Sequence, residues 1–170
     1  IPEDRGLQGL IRPQTIRENI AHSILDRIAR ASFVDRRKER TLASEAITQF
    51  SIKARGPEQI AGTLSGGNQQ KVVVAKWLGT KPAILIMDEP TRGIDVGAKS
   101  EIYALMGRLA QQGLAIIMIS SELPEVLGMS DRILVMSDGR MVAELSRDEA
   151  TLESIGAAMT HGKHQLEAVQ

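Results

Sequence analysis

Ile84-Leu85-Ile86-Met87-Asp88-Glu89-Pro90 is an unbroken apolar run that ends on two carboxylates and a proline. A run without polar alternation predicts a strand buried on both faces of a parallel sheet. Ligand sites in such sheets lie at the carboxyl ends of the strands, which is where Asp88 and Glu89 fall. An aspartate there can hold Mg²⁺ through the ion's waters, because Mg²⁺ keeps several waters and takes few carboxylates. A glutamate directly after it can polarise an attacking water, and phosphoryl transfer needs little beyond positioning and charge neutralisation. An isolated Asp-Glu pair is more often an ordinary strand-end turn, so the neighbouring segments decide its meaning.

Downstream, a helix is expected over about 97–111, and Leu114-Ala115-Ile116-Ile117-Met118-Ile119 reads as a second strand buried on both faces. A short helix is expected over 122–127. Ile133 to Met136 and Met141 to Glu144 flank Ser137-Asp138-Gly139, a hairpin signal. Strand alternating with helix, then a hairpin, predicts an α/β fold with a mostly parallel sheet and an antiparallel edge. A last helix is expected over about 148–159, stopped near Gly162, with a frayed end.

Upstream, Ile16, Ile20, Ile24 and Ile28 recur every four residues, with Ala21 and Leu25 beside them, which predicts one apolar helical stripe. A second helix is expected over about 34–49, with Leu42, Ala46, Ile47 and Phe50 near its apolar face. Its basic stretch, Arg36-Arg37-Lys38-Glu39-Arg40, reads as a solvated face. Trp77, four residues after Val73, is expected in the core.

Composition narrows the function classes. The chain has 170 residues, enough for a domain with a real core. Lys+Arg and Asp+Glu are both 21, so no net field draws it toward nucleic acid or an anionic membrane. Aromatics make up 2 %, too few for base-stacking platforms. There is no cysteine, which excludes disulfides and thiolate metal sites. No apolar run approaches the ~20 residues of a membrane-spanning helix. The opening residues are neither a signal peptide nor an initiator methionine, so the chain reads as cut from something longer. His22, His161 and His164 have no metal-ligand partners at useful spacing, and the seven methionines read as core filler.

A second motif precedes the strand: Leu64-Ser65-Gly66-Gly67-Asn68-Gln69-Gln70-Lys71. Serine is a good helix N-cap. Two glycines after it let the backbone approach a ligand closely. The helix N-terminus offers free N–H groups and partial positive charge, a ready anion site.

Together these residues resemble the ATP-binding cassette family. Leu64 to Gln70 looks like its signature motif, Ile84 to Asp88 like its Walker B strand, Glu89 like its catalytic glutamate, and Gly93-Ile94-Asp95 like its D-loop. The resemblance is narrower still to the ATPase subunits of ribose-, galactose- and xylose-type sugar importers, which carry two cassettes in one chain. It rests on Pro2-Glu3-Asp4-Arg5, Thr15-Ile16-Arg17-Glu18-Asn19, Leu64 to Lys71, Asp88 to Val96 and Ile119 to Glu125, which look like the second cassette. It runs to about Thr160. It implies a P-loop NTPase-type sheet, truncated, with a helical subdomain. Residues 1–62 would be the end of the Q-loop plus that subdomain. Residues 63–146 would carry the signature helix, Walker B, D-loop and switch loop, and 147–170 a C-terminal helix and tail.

The chain departs from the family's pattern in three places. Ser121 stands where the switch histidine is expected, and a serine cannot be an imidazole partner to a γ-phosphate. Either Ser120 or Ser121 can also cap the helix that follows, with Pro124 tolerated in its first turn. Glu3 stands where the Q-loop glutamine is expected, and its carboxylate could meet a Mg²⁺-associated water. No G-x-x-x-x-G-K-[ST] occurs, so the first strands and the phosphate loop are expected to be absent.

The resemblance implies ATP and Mg²⁺ as cofactors and an ATPase coupled to transport in the full-length protein. Asp88 would hold Mg²⁺ and Glu89 would be catalytic. Ser65, Gly66, Gly67 and Gln69 would meet an ATP held by a partner cassette, with Asp95 and Ser121 as further nucleotide contacts. Implied partners are the first cassette of the same polypeptide or a homodimer mate, transmembrane permease subunits and, indirectly, a periplasmic sugar-binding protein, with no nucleic acid. The implied place is the cytoplasmic face of the cell membrane. This cassette's own site is expected to be weak, and the piece alone inactive. Two other readings remain open: a non-hydrolysing regulatory nucleotide-binding module, and a soluble ABC ATPase of DNA repair or translation.

Overall fold

The computed structural model describes residues 1–30 and 33–167. The expected frayed end at 168–170 lies outside the described residues, as do the side chains of His161 and His164. The chain forms two compact units, Ile1–Ile119 and Ser120–Gln170. Among the described residues no helix is long and apolar enough to cross a membrane.

The first unit opens with a turn of π-helix, Arg5–Gly9, whose first N–H groups are capped by the Asp4 carboxylate. Thr15 and Glu18 then form a reciprocal capping box, which starts helix α1 (Ile16–Ala21). The expected single helix is instead three segments: α1, a 3₁₀ turn at His22–Ile24, and α2 (Leu25–Ile28). The apolar stripe survives this break, since Ile16, Ile20, Ile24 and Ile28 are all buried. Ser23, in the 3₁₀ turn, donates to the carbonyl of Lys76. Strands β1 (Ala29–Arg30) and β2 (Phe33–Val34) pair antiparallel. Helix α3 (Arg36–Gln49) starts two residues later than the periodicity suggests. Asp35 sets that start by accepting from the N–H groups of Arg37 and Lys38.

The basic stretch on α3 is not wholly a solvated face. Glu39 is buried and ion-paired with Arg17 of α1, which also meets the more exposed Glu58. A charge buried on α1 needs a counter-charge, and the α3 register delivers one.

Helix α4 (Gly66–Leu78) buries Val72, Val73 and Val74 and packs against α1. Trp77 corrects the core expectation. It is 38 % exposed, with the Lys76 ammonium 5.5 Å from its ring centroid. Lys76 turns inward at this end of the helix, where its ammonium donates to the carbonyl of Gly9 at 3.1 Å. Burial lowers its pKa.

Strands β3 (Ile84–Asp88) and β4 (Ala115–Ile119) pair in parallel, with Asp88 opposite Ile119. Helix α5 (Val96–Gln111) connects them. Two-faced burial does not hold among the described residues. Leu85 and Met87 are buried, while Ile84, Ile86, Ile117 and Ile119 are between 50 % and 56 % exposed. The period of two puts these four on one face, and α5 packs against the sheet without covering it. Ile1 makes the two hydrogen bonds of a parallel partner to Met87: its nitrogen donates to the carbonyl of Ile86 at 2.7 Å, and the N–H of Asp88 donates to its carbonyl at 3.0 Å.

In the second unit, helix α6 (Leu123–Met129) precedes a hairpin of β5 (Arg132–Ser137) and β6 (Arg140–Ser146). Asp138 and Gly139 have φ of 48° and 75°, the doubly left-handed geometry of a two-residue hairpin turn. The hairpin forms its own two-stranded sheet. Ile133 and Val135 pack with Ile155 of helix α7 (Leu152–Glu167), which continues past Gly162.

Candidate functional site

The site begins where β3 ends. Asp88 closes the strand, and Glu89 takes φ of 44°, a left-handed backbone that a non-glycine residue adopts at a local cost. The N–H of Glu89 donates to the carbonyl of Ile119 at 2.8 Å, which pins the bend to the end of β4. Pro90 and Thr91 are buried beneath it. Two short turns follow, with the N–H of Arg92 donating to the carbonyl of Glu89 and that of Ile94 to the carbonyl of Thr91. Asp95 then caps α5, its carboxylate accepting from the N–H of Ala98 at 2.9 Å. Asp95 thus has a structural duty that its place in the sequence did not announce.

The start of α4 departs from ordinary capping. Ser65 occupies the N-cap position, yet its side chain makes no cap hydrogen bond to the backbone. Its hydroxyl accepts instead from the carboxamide of Asn68 at 2.8 Å. The first-turn N–H groups have no partner within the helix, so they remain directed at whatever faces its N-terminus. The two glycines serve the fold directly. A Cβ on Gly67 would lie 2.6 Å from the Cβ of Ala98, so Gly67 lets α4 and α5 approach. A Cβ on Gly66 would meet Arg5 at 2.8 Å and the carbonyl of Gly93 at 3.3 Å. Gln69 turns back, donating to the carbonyl of Leu64 at 2.9 Å.

Arg5 joins these pieces. Its guanidinium donates to the carbonyls of Arg92 at 2.6 Å and Gly93 at 3.0 Å. Glu3 is ion-paired with Arg92. Glu3, Arg5, Arg12, Gly66, Gln69 and Arg92 line a cleft of about 600 Å³. Its three arginines share the wall with Glu3 and Asp4; Arg92 is paired with Glu3, and Arg5 is engaged by the carbonyls of Arg92 and Gly93. Asp88 and Glu89 do not line it. The structure therefore gathers Glu3, Gly66 and Gln69 at one cleft and leaves the strand-end carboxylates outside its wall.

A charged cluster braces α4 from behind. Lys71, almost fully buried, donates to the carbonyl of Ser51 at 3.0 Å and to Glu101 of α5 at 2.7 Å. Lys53 reaches the same carboxylate at 2.9 Å. Hydrogen bonds from Lys71 and Lys53 lower the Glu101 pKa to about 2. The backbone N–H of Lys53 donates to the Asn68 side-chain oxygen at 2.8 Å.

Ser121 belongs to the second unit and is exposed. Ser120 is the helix-start residue here: its hydroxyl accepts from the N–H of Glu122 at 3.1 Å and donates to buried Glu125 at 2.6 Å. Glu122 occupies the N-cap position of α6.

Sequence reasoning quoted Arg5, Asn68 and Lys71 within motifs but gave them no role, and it did not single out Glu101. Asn68 had a legible signal, since residues three apart meet at a helix start. Arg5 had none, because its partners lie 87 and 88 residues away.

The donor set fits a Mg²⁺-triphosphate. No group of three or more His, Cys, Asp or Glu side chains that could hold a metal occurs among the described residues. A single strand-end carboxylate, Asp88, is compatible with Mg²⁺, which takes one or two carboxylates and completes its shell with water and phosphate oxygens. The N–H groups of the first turn of α4 are of the kind that phosphate oxygens accept from.

A family profile described as "ABC transporter" matches residues 3–92. The chain is 54 % identical over 165 residues to the ribose import ATP-binding protein RbsA of Halalkalibacterium halodurans, covering 96 % of this chain and 33 % of that protein. It is also 54 % identical over 160 residues to the ribose import ATP-binding protein RbsA 2 of Rubrobacter xylanophilus, covering 94 % and 31 %. The chain thus spans about a third of the length of these relatives. Among solved structures, it resembles an ATP-binding cassette captured as a post-hydrolysis dimer with ADP and Pi. The TM-score is 0.67 and the identity 25 %, covering 83 % of this chain and 61 % of that one. Another cassette of an ABC transporter, with TM-score 0.73 and 21 % identity over 87 % of this chain and 63 % of that one, shares the fold.

Proposed function

This chain belongs to the ABC transporter family, and from that premise we propose that it is the larger part of the second ATP-binding cassette of a sugar importer's ATPase subunit. The observation that carries the reading is the 54 % identity to a ribose import ATP-binding protein along 96 % of this chain. Ribose is accordingly the proposed sugar. The full-length protein hydrolyses ATP at the cytoplasmic face of the membrane, with permease subunits and a first cassette as partners. Residues 1–62 supply the helical part that faces the permease.

The proposed mechanism divides this chain's residues between two nucleotides. Ser65 and the first-turn N–H groups of α4 donate to the phosphates of an ATP held by the other cassette. Gln69 holds the Leu64 carbonyl and so fixes the loop that enters that helix. Asp88 and Glu89 would serve the cassette's own nucleotide: Asp88 would hold the Mg²⁺, and Glu89 would orient the attacking water. ATP and Mg²⁺, when bound, supply the anhydride and the charge neutralisation. Two features support this division: the cleft at Gly66 excludes both carboxylates, and Ser121 offers no imidazole. The parallel pairing of Ile1 with Met87 supports a further strand beside β3 in the whole protein.

Uptake of labelled ribose tests the reading. Cells lacking their own ribose importer would receive the full-length subunit with its permease and binding protein. The reading predicts ATP-dependent ribose uptake that fails when the subunit is omitted. Uptake of another sugar alone would overturn the ribose assignment, and ATPase activity without any uptake would overturn the importer.

A further inference from the structure

The carboxamide of Asn68 is buried and bonded on both sides. Its oxygen accepts from the backbone N–H of Lys53 at 2.8 Å, and its nitrogen donates to the Ser65 hydroxyl oxygen at 2.8 Å. The first bond decides the second. A backbone N–H can only donate, so the amide oxygen must face Lys53 and the NH₂ must face Ser65. Ser65 is therefore an acceptor on its protein side. Its oxygen accepts from no first-turn N–H of α4, and the residue is exposed. The hydroxyl hydrogen is left to donate outward.

Resting on the signature role given to Ser65 above, we propose that Asn68 is a positioning residue that fixes the direction of the Ser65 hydroxyl. An N-cap serine ordinarily accepts from a backbone N–H two or three residues on. Here the Asn68 side chain takes the place of that donor. The Ser65 hydroxyl and the first-turn N–H groups thus all present hydrogens to the same anion. Lys53 follows the end of α3, so the orientation of Ser65 is set from the helical part of the chain. A displacement of residues 50–53 would release Asn68 and, through it, the Ser65 proton.

The test uses the full-length subunit with its permease and compares Asn68→Asp, Asn68→Ala, Ser65→Ala and the double variant Ser65→Ala/Asn68→Asp. An aspartate keeps the acceptor for Lys53, matches the volume and suits a first-turn position. As an acceptor only, it makes Ser65 donate inward. The expected result is a melting temperature for Asn68→Asp at or above the parent's. Its kcat should fall about tenfold, the worth of one charge-assisted hydrogen bond. Asn68→Ala should melt lower, since Lys53 loses its acceptor, yet keep more activity than Asn68→Asp. In the Ser65→Ala background, Asn68→Asp should cost nothing further. A full further loss there would mean that charge repulsion, not hydroxyl direction, is responsible, and would overturn the proposal. Parent-like activity in Asn68→Asp, with Ser65→Ala impaired, would overturn it too and leave the signature role standing. Parent-like activity in Ser65→Ala would overturn the signature role beneath it.

Discussion

The Arg5 guanidinium fills the space that a side chain on Gly66 would need: a Cβ there would lie 2.8 Å from the Nη2 nitrogen of Arg5. The same guanidinium holds the carbonyls of Arg92 and Gly93. One residue thus ties the helix that opens at Gly66 to the loop that follows the strand-end carboxylates. The planar fork matters, because its donors are fixed in one plane, whereas a lysine ammonium is a compact charge on a flexible stem.

Arg5→Lys should loosen the 92–95 loop. Losing one charge-assisted hydrogen bond of about 1.5 kcal/mol speeds local amide exchange on the order of tenfold. Hydrogen exchange of the full-length protein checks this. Unchanged protection at Gly93 and Ile94 would mean that the loop holds itself.

Glu39→Ala should be among the most destabilising changes in the helical part. It leaves the Arg17 guanidinium, 8 % exposed, without its buried counter-charge, at a cost of about 3–5 kcal/mol. Glu58→Ala removes a partner that is 51 % exposed and should cost no more than about 1 kcal/mol. Urea unfolding midpoints of the full-length variants read the difference.

Acid sensitivity should involve Glu101. Its pKa falls from 4.5 to about 2 on folding, held down by Lys71 and Lys53. A depressed carboxylate pKa stabilises the fold above the unfolded value and loses that contribution as pH drops toward the folded value. Between pH 4.5 and about 2 the unfolded state binds the extra proton, so stability declines through this window. Glu101→Gln removes that proton uptake and should unfold with a shallower pH dependence there, read by circular dichroism.

Ser121→Ala should leave ATPase close to the parent's, because a serine supplies no imidazole to a γ-phosphate. The side chain is exposed, and the helix start beside it is organised by Ser120. A loss of tenfold or more would assign Ser121 a direct part in turnover.

The parts of the fold written in local pattern were legible. The Ile16–Ile28 stripe, the β3 and β4 runs and the Asp138-Gly139 turn all follow from periodicity and turn chemistry. What an apolar run could not say is whether both faces are covered. Ile84 and Ile117 are as apolar as Leu85, but only Leu85 is buried. Trp77 and Glu39 show the same limit in single residues, since burial depends on which helix faces which. At the site, the motif residues stood out by type and spacing. Their second duties did not: Gly67 admits Ala98, Asp95 caps α5, and Ser65 leaves its cap to answer Asn68. Each depends on where a side chain turns after the backbone is set.

The division of this chain between two nucleotides is tested most directly by the ATPase rates of Ser65→Arg and Glu89→Gln in the full-length protein. An arginine at position 65 blocks the face that meets the other cassette's ATP and should abolish hydrolysis. Under the proposed division, Glu89→Gln would disable only this cassette's own site, proposed to be the weaker, and should retain most of the hydrolysis. Equal loss from the two substitutions would contradict the division.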